Sequence, residues 1–302
     1  MTDTDQLFYL VGQYGYLAVF LFLVVLLGMT LAFYFAYRWV ASHRTWIVRC
    51  VHAVLSYPPV ARLQERYDRE LRWLLRRLTP GEYLGLHLTV GLLLAMGCLW
   101  FFGDLAEDVV TNDQLVRVDQ AIAIVLHRSG TPALTDFFLV VTALGSVAAL
   151  ALLGLIVAAI YGLRRRWLHV ATWLAASAGG AVLNQLLKEL FARPRPSFAD
   201  PLLSETSYSF PSGHAMLSLV VYGLMTYFAV LALRTWRART AVVFGAALLV
   251  ILIGVSRMYL GVHYFSDVLA GFAAGGLWLS TLITGMETIR QRREDGSMKP
   301  QS

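Results

Sequence analysis

A chain of 302 residues that is 58% hydrophobic and only 15% charged is no ordinary soluble domain, since such domains carry about a quarter of their residues as charges. Its net charge of +6 comes from arginines gathered between apolar runs, a topology signal that argues against nucleic-acid binding. The only cysteines, Cys50 and Cys98, offer no disulfide framework.

The N-terminus opens with Asp3 and Asp5 and no cation, and its first apolar run is too long for the core of a cleavable signal peptide. Seven runs approach the roughly 20 apolar residues a bilayer requires. They lie near 14–37, 84–103, 136–163, 168–190, 213–233, 240–259 and 267–286. The expected fold is all-α, a polytopic membrane bundle of about seven transmembrane helices. Arginines fill alternate loops: Arg38 to Arg77 after the first run, then Arg164–Arg166, Arg234–Arg239, and Arg290, Arg292 and Arg293 in the tail. The opposite side is acidic around Asp104, Glu107, Asp108, Asp113 and Asp119. Positive-inside bias then puts the N-terminus outside and the C-terminus in the cytoplasm.

Between the first two runs, Pro58-Pro59 splits segment 41–80, and 60–78 reads as a basic amphipathic helix suited to anionic lipid headgroups or to packing on the bundle. The outward loop 104–135 contains a short interfacial helix over 117–127, expected to cap the outer side and to contribute to substrate entry. Gly179-Gly180 and Gly271-x-x-x-Gly275 allow close helix contact. Trp39, Trp100 and Trp167 read as interface anchors.

Three stretches break the apolar pattern at one membrane face. Ser256-Arg257-x5-His263-x3-Asp267 carries ionisable groups where they are expensive, the mark of a functional site. His263 and Asp267 are four apart, so on a helix they share one face and the carboxylate fixes the ring's tautomer. Lys188, one of only two lysines, stands with Arg193 and Arg195 on the face poor in positive charge, where cations call for an anion. Pro211-Ser212-Gly213-His214 reads as a helix N-terminus, whose free amides and dipole favour an anion. Together Lys188, Arg195, Ser212, Gly213, His214, Arg257, His263 and Asp267 describe a phosphate pocket with two histidines.

Lys188-x6-Arg195-Pro196, Pro211-Ser212-Gly213-His214 and Ser256-Arg257-x5-His263-x3-Asp267 resemble the three signature motifs of the type 2 phosphatidic acid phosphatases (PAP2), complete and in order. The resemblance covers roughly 84–286 and implies a six-helix catalytic core within 81–289, preceded by an extra helix and basic segment over 1–80 and followed by a cytoplasmic tail over 290–302. It implies a metal-independent phosphatase without cofactor. His263 is then the nucleophile that becomes phosphohistidine, Asp267 its orienting partner and His214 the general acid and base. Lys188, Arg195, Ser212, Gly213 and Arg257 are then the phosphate-binding set. Arg193 lies outside the motif and is available as a second phosphate contact, which a pyrophosphate substrate would use. The expected partner is a membrane lipid substrate, at the periplasmic face of a bacterial cytoplasmic membrane. Polyprenyl (undecaprenyl) pyrophosphate is the first choice on family base rates. Phosphatidic acid, phosphatidylglycerol phosphate or a phosphorylated glycolipid are alternatives. Two other classes are a lipid phosphotransferase using the same residues and a transporter, and the latter is disfavoured because the charges gather at one face and not at the midplane.

Overall fold

The computed structural model describes residues 83–297, together with 39, 42, 43, 46 and 49. The expected span at 14–37 lies outside the described residues, as does nearly all of segment 41–80. Two compact units divide the chain, one of Met1–Tyr16 with Gly91–Ser302 and one of Leu17–Val90. All that follows concerns the first.

The described chain is helical, with no strand. Its elements are α1 (Tyr83–Thr111), α2 (Asp113–Arg128), α3 (Pro132–Leu144), α4 (Val147–Leu163), α5 (Trp167–Leu174), α6 (Gly180–Phe191), α7 (Gly213–Ala232), α8 (Trp236–Tyr259) and α9 (Phe265–Ser297). A π-helical turn at Ala175–Gly179 joins α5 to α6 within one span. Among the described residues five helices are long and apolar enough to cross a membrane, or six if α3 and α4 count as one bent span. The protein is an integral membrane protein.

The run expected as one span over 136–163 is broken. Its two halves meet at 40°, because Ser146 caps α4 by accepting a hydrogen bond from the Ala149 amide. Hydropathy is blind to this, since a glycine and a serine barely change it. Gly145 at the break is held close to its neighbours, and a Cβ there would sit 2.4 Å from Ile253 Cγ2 and 3.2 Å from His214 Cδ2. The helix expected at 117–127 is longer, and Asn112 caps it by accepting from the Gln114 and Leu115 amides. At the other end α9 continues to Ser297, through the expected boundary at 289–290.

A helix apolar on every side belongs in the centre, and α7 is that helix, packed most extensively against α9 and α8. Leu217, Val220, Val221, Leu224 and Phe228 of α7 form the core with Trp173, Val250 and Ile253. The glycines of α9 make the contact possible. A Cβ on Gly271 would lie 2.6 Å from the Ser212 carbonyl oxygen, and one on Gly275 would lie 2.8 Å from that of Met216. Gly179 likewise admits Trp278, whose indole nitrogen donates to the Ala175 carbonyl in the π turn. By contrast, α1 exposes Leu92, Leu93, Leu94, Leu99 and Trp100, as a lipid-facing helix does. A cavity of about 300 Å³ opens between α4, the α5–α6 span and α7, lined by Leu150, Gly154, Trp173, Ser177, Leu217 and Val221. Leu217 and Val221 lie one and two turns along α7 from His214.

Candidate active site

Four chain ends converge at one end of the bundle: the last turn of α6, the first of α7, the last of α8 and the first of α9. Ala192 ends α6 in the left-handed region (φ 44°, ψ 34°), and its amide returns to the Lys188 carbonyl. The extended stretch Arg193-Pro194-Arg195-Pro196 follows. Alternate residues of an extended chain point to opposite sides, so the two arginines part company. Arg195 turns into the site, where Nη1 donates to the Val262 carbonyl (2.7 Å) and contacts His263 Nε2 (3.1 Å). Arg193 turns away: Nη1 donates to Asp267 Oδ1 (2.6 Å) and Nη2 to Asp119 Oδ2 (2.8 Å). Both of its terminal nitrogens are engaged by carboxylates, which corrects the reading of Arg193 as a second phosphate contact.

His263 sits in the turn between α8 and α9, not on a helix as its spacing from Asp267 suggested. Gly261, at φ +73°, makes that turn and leaves no room for a side chain, as its Cβ would meet Phe198 at 2.9 Å. Asp267 is the third residue of α9 and accepts from the Tyr264 amide at 2.8 Å, the carboxylate half of a capping box. The same oxygen, Oδ2, faces His263 Nδ1 at 3.4 Å. An arginine only donates and a carboxylate only accepts. The ring is therefore protonated at Nδ1, and its Nε2 lone pair faces Arg195. Burial holds the His263 pKa well below the ordinary 6.5, and Arg195, Arg257 and Lys188 push it further the same way. The imidazole is neutral at pH 7.

Arg257 is buried at the end of α8, donating through Nη1 to Thr142 Oγ1 (2.9 Å) and through Nη2 to Glu205 Oε1 (2.6 Å). Its Nε is buried with no acceptor in the protein. Lys188 Nζ donates to Ser207 Oγ at 2.8 Å. Arg195 binds the same residue twice, Nε to its carbonyl (2.6 Å) and Nη2 to its hydroxyl (2.9 Å). All three cations thus give donors to one short segment, 205–207. Burial works to raise the Glu205 pKa, but the hydrogen bond and charge of Arg257 outweigh it and hold this carboxyl below its ordinary value.

Ser212 caps α7, its hydroxyl accepting from the Ala215 amide. Its own amide donates to the Asp267 carbonyl at 2.9 Å. The reading of Ser212 as a backbone phosphate contact is thereby corrected; the amides of Gly213 and His214 are the ones that open the helix without intrahelical acceptors. Gly213 also packs on Asn184, whose Oδ1 would lie 2.8 Å from a Cβ. His214 lies against the α3–α4 break and feels the charges of Arg257, His263, Glu205 and Lys188.

The structure thus gathers Lys188, Arg195, Gly213, His214, Arg257, His263 and Asp267 at one end of the bundle. It adds four residues that sequence reasoning passed over. Asp119 carried a signal, since it falls on the buried stripe of α2 with Leu115, Ile122 and Leu126. A carboxylate at a core position of a helical pattern demands a partner. Thr142, Glu205 and Ser207 carried none.

Comparison with known proteins agrees with this arrangement. The family model described as PAP2 superfamily matches residues 167–291. The chain is 38% identical over 199 residues to phosphatidylglycerophosphatase B of Bacillus subtilis, covering 64% of this chain and 95% of that protein. It is 33% identical over 112 residues to an undecaprenyl-diphosphatase of Sulfolobus acidocaldarius, covering 35% of this chain and 50% of the relative. Against a lipid A 1-phosphatase of Rhizobium etli it is 34% identical over 125 residues, 38% of this chain and 49% of that one. Among solved structures, a transmembrane PAP2 type phosphatidylglycerolphosphate phosphatase from Bacillus subtilis superposes with a TM-score of 0.58 at 31% identity, over 69% of this chain and 98% of that one.

Proposed function

The chain belongs to the PAP2 superfamily and is a membrane phosphatase, and from that premise we propose that it hydrolyses a lipid phosphate monoester through a phosphohistidine at His263. The observation that carries the mechanism is the state of that ring. Nδ1 is tied to Asp267, and Nε2 keeps its lone pair among Lys188, Arg195 and Arg257.

An arriving phosphate exchanges its oxygens for the contacts that Glu205 and Ser207 make with the three cations, and takes the Arg195 donor from His263 Nε2. The orphaned Nε of Arg257 and the Gly213 amide are further donors for the same oxygens. The freed lone pair forms an N–P bond as the P–O bond to the lipid breaks. The departing oxygen takes its proton from His214. The ring keeps its Nδ1 proton, so it becomes positive, and Asp267 holds it. His214, now neutral, takes a proton from water as the water oxygen attacks phosphorus. The N–P bond breaks, its electron pair returns to Nε2, and inorganic phosphate leaves. No residue in this sequence of steps calls for a metal ion.

Phosphatidylglycerol phosphate is the substrate we favour, on the name of the relative matched over 95% of its length. Polyprenyl pyrophosphate is less favoured: the relative named for it is matched over 50% of its length, and Arg193 is engaged by carboxylates. The lipid enters sideways from the outer leaflet of a bacterial cytoplasmic membrane, with a hydrocarbon chain in the cavity beside α7. The test is purified protein assayed for released phosphate against both lipids and phosphatidic acid, with and without chelator. His263→Ala abolishes release, and Asp267→Asn lowers it about a hundredfold without unfolding the protein. Turnover surviving in His263→Ala sinks the mechanism.

A further inference from the structure

Behind the catalytic pair lies a second buried group of ions that the mechanism leaves unused. Asp119 of α2 is fully buried. Its Oδ1 accepts from the Ser266 amide (3.0 Å), and its Oδ2 from Arg193 Nη2 (2.8 Å) and the Ser266 hydroxyl. Arg193, itself buried and lying 4.4 Å over the Tyr264 ring, reaches on to Asp267 Oδ1 at 2.6 Å. The result is a carboxylate–guanidinium–carboxylate ladder leading from an outer loop helix to the carboxylate that faces His263.

Charge explains why two carboxylates are needed. Arg193 and Asp267 alone form a neutral pair, and a neutral pair holds a positive ring weakly. With Asp119 the ladder carries one net negative charge. All the other cations facing His263, namely Lys188, Arg195 and Arg257, lie on its phosphate side, and the remaining anion there, Glu205, is engaged by Arg257. A positive phosphohistidine ring has only the ladder to balance it from behind. We infer that Asp119 and Arg193 are positioning residues: Arg193 fixes the Asp267 carboxylate, and Asp119 offsets the Arg193 charge so that Asp267 keeps a net negative charge for the phosphorylated His263 ring. This rests on the phosphohistidine reading above.

The alternative is a staple that merely fastens α2 to α9, and charge compensation separates the two. Asp119→Asn leaves the ladder neutral, while Asp119→Asn with Arg193→Gln restores one negative charge on Asp267 alone. Using the full chain in detergent and a lipid phosphate, Asp119→Asn is expected to lower kcat/KM about tenfold, the worth of about one pH unit of lost charge stabilisation. The inhibition constant of inorganic phosphate, which reads the untouched cations, stays within about twofold. The double variant returns kcat/KM to within about threefold of wild type, as replacement of both partners of a buried ion pair allows. An unchanged kcat/KM in Asp119→Asn, a parallel loss of phosphate binding, or a double variant no better than the single one overturns the inference. If Asp119→Asn cannot be recovered from membranes, the double variant decides alone: within about threefold of wild type supports the inference, a larger loss overturns it. An active His263→Ala protein, by contrast, overturns the phosphohistidine reading and not merely the role of Asp119.

Discussion

Arg193 and Arg195 are two residues apart and chemically identical, yet they serve opposite faces of the same catalytic pair. The difference comes from backbone, because an extended Arg-Pro-Arg-Pro stretch points its arginines in opposite directions. Burial of His263 has a consequence for stability as well as for nucleophilicity. Its folded pKa is depressed, so between that value and the unfolded 6.5 only the unfolded state binds the proton. Stability therefore falls as pH drops below about 6.5, at a slope of up to about 1.4 kcal/mol per pH unit for this one group. Apparent unfolding temperatures measured at pH 7 and pH 5 are expected to fall on the acid side. His263→Gln, which has no proton to gain, shows a smaller drop than wild type.

At the scale of elements, the site is assembled from helix ends. Each end supplies what its polarity permits: α6 and α8 bring cations to their C-termini, while α7 and α9 bring amides and a capping carboxylate to their N-termini. The close approach of α7 to α9 sets their mutual height. Gly271→Ala places a Cβ 2.6 Å from the Ser212 carbonyl, where backbone must move. It is expected to destabilise the protein by about 1–3 kcal/mol, and to lower activity because Ser212 caps the helix that carries His214. Gly285→Ala, on the same helix with nothing within 4 Å of its Cβ, is the control and leaves both thermal stability and turnover near wild type.

At the scale of the molecule, α7 is enclosed and the neighbouring helices turn apolar faces outward, so lipid completes the packing that water would oppose. The cavity beside α7 joins that outer surface to the neighbourhood of His214. Ala151 lines it and is exposed, so Ala151→Phe fills it without disturbing the core. The expected outcome is a rise in KM of about tenfold for a long-chain lipid phosphate, the worth of a few methylenes' contact. The rate on a short-chain, water-soluble analogue is unchanged. Equal effects on the two substrates would remove the cavity from the substrate path.

The sequence by itself determined the helical class, the spans from 84 onward, and seven of the eight phosphate-site residues in their membership of the site. Length of apolar run and local ionisable clusters are properties of neighbouring residues, and they survive without knowledge of the fold. Only the tertiary structure decided which way each polar group points. It sent Arg193 to the carboxylates and engaged the Ser212 amide with Asp267, put His263 in a turn, and bent the third apolar run at Gly145-Ser146. Asp119 lies 148 positions before Asp267 (267 − 119), and what joins them is a guanidinium from a third segment. A buried charge is set by whatever the packed chain brings within a few ångströms, and that distance is not written in the order of the residues.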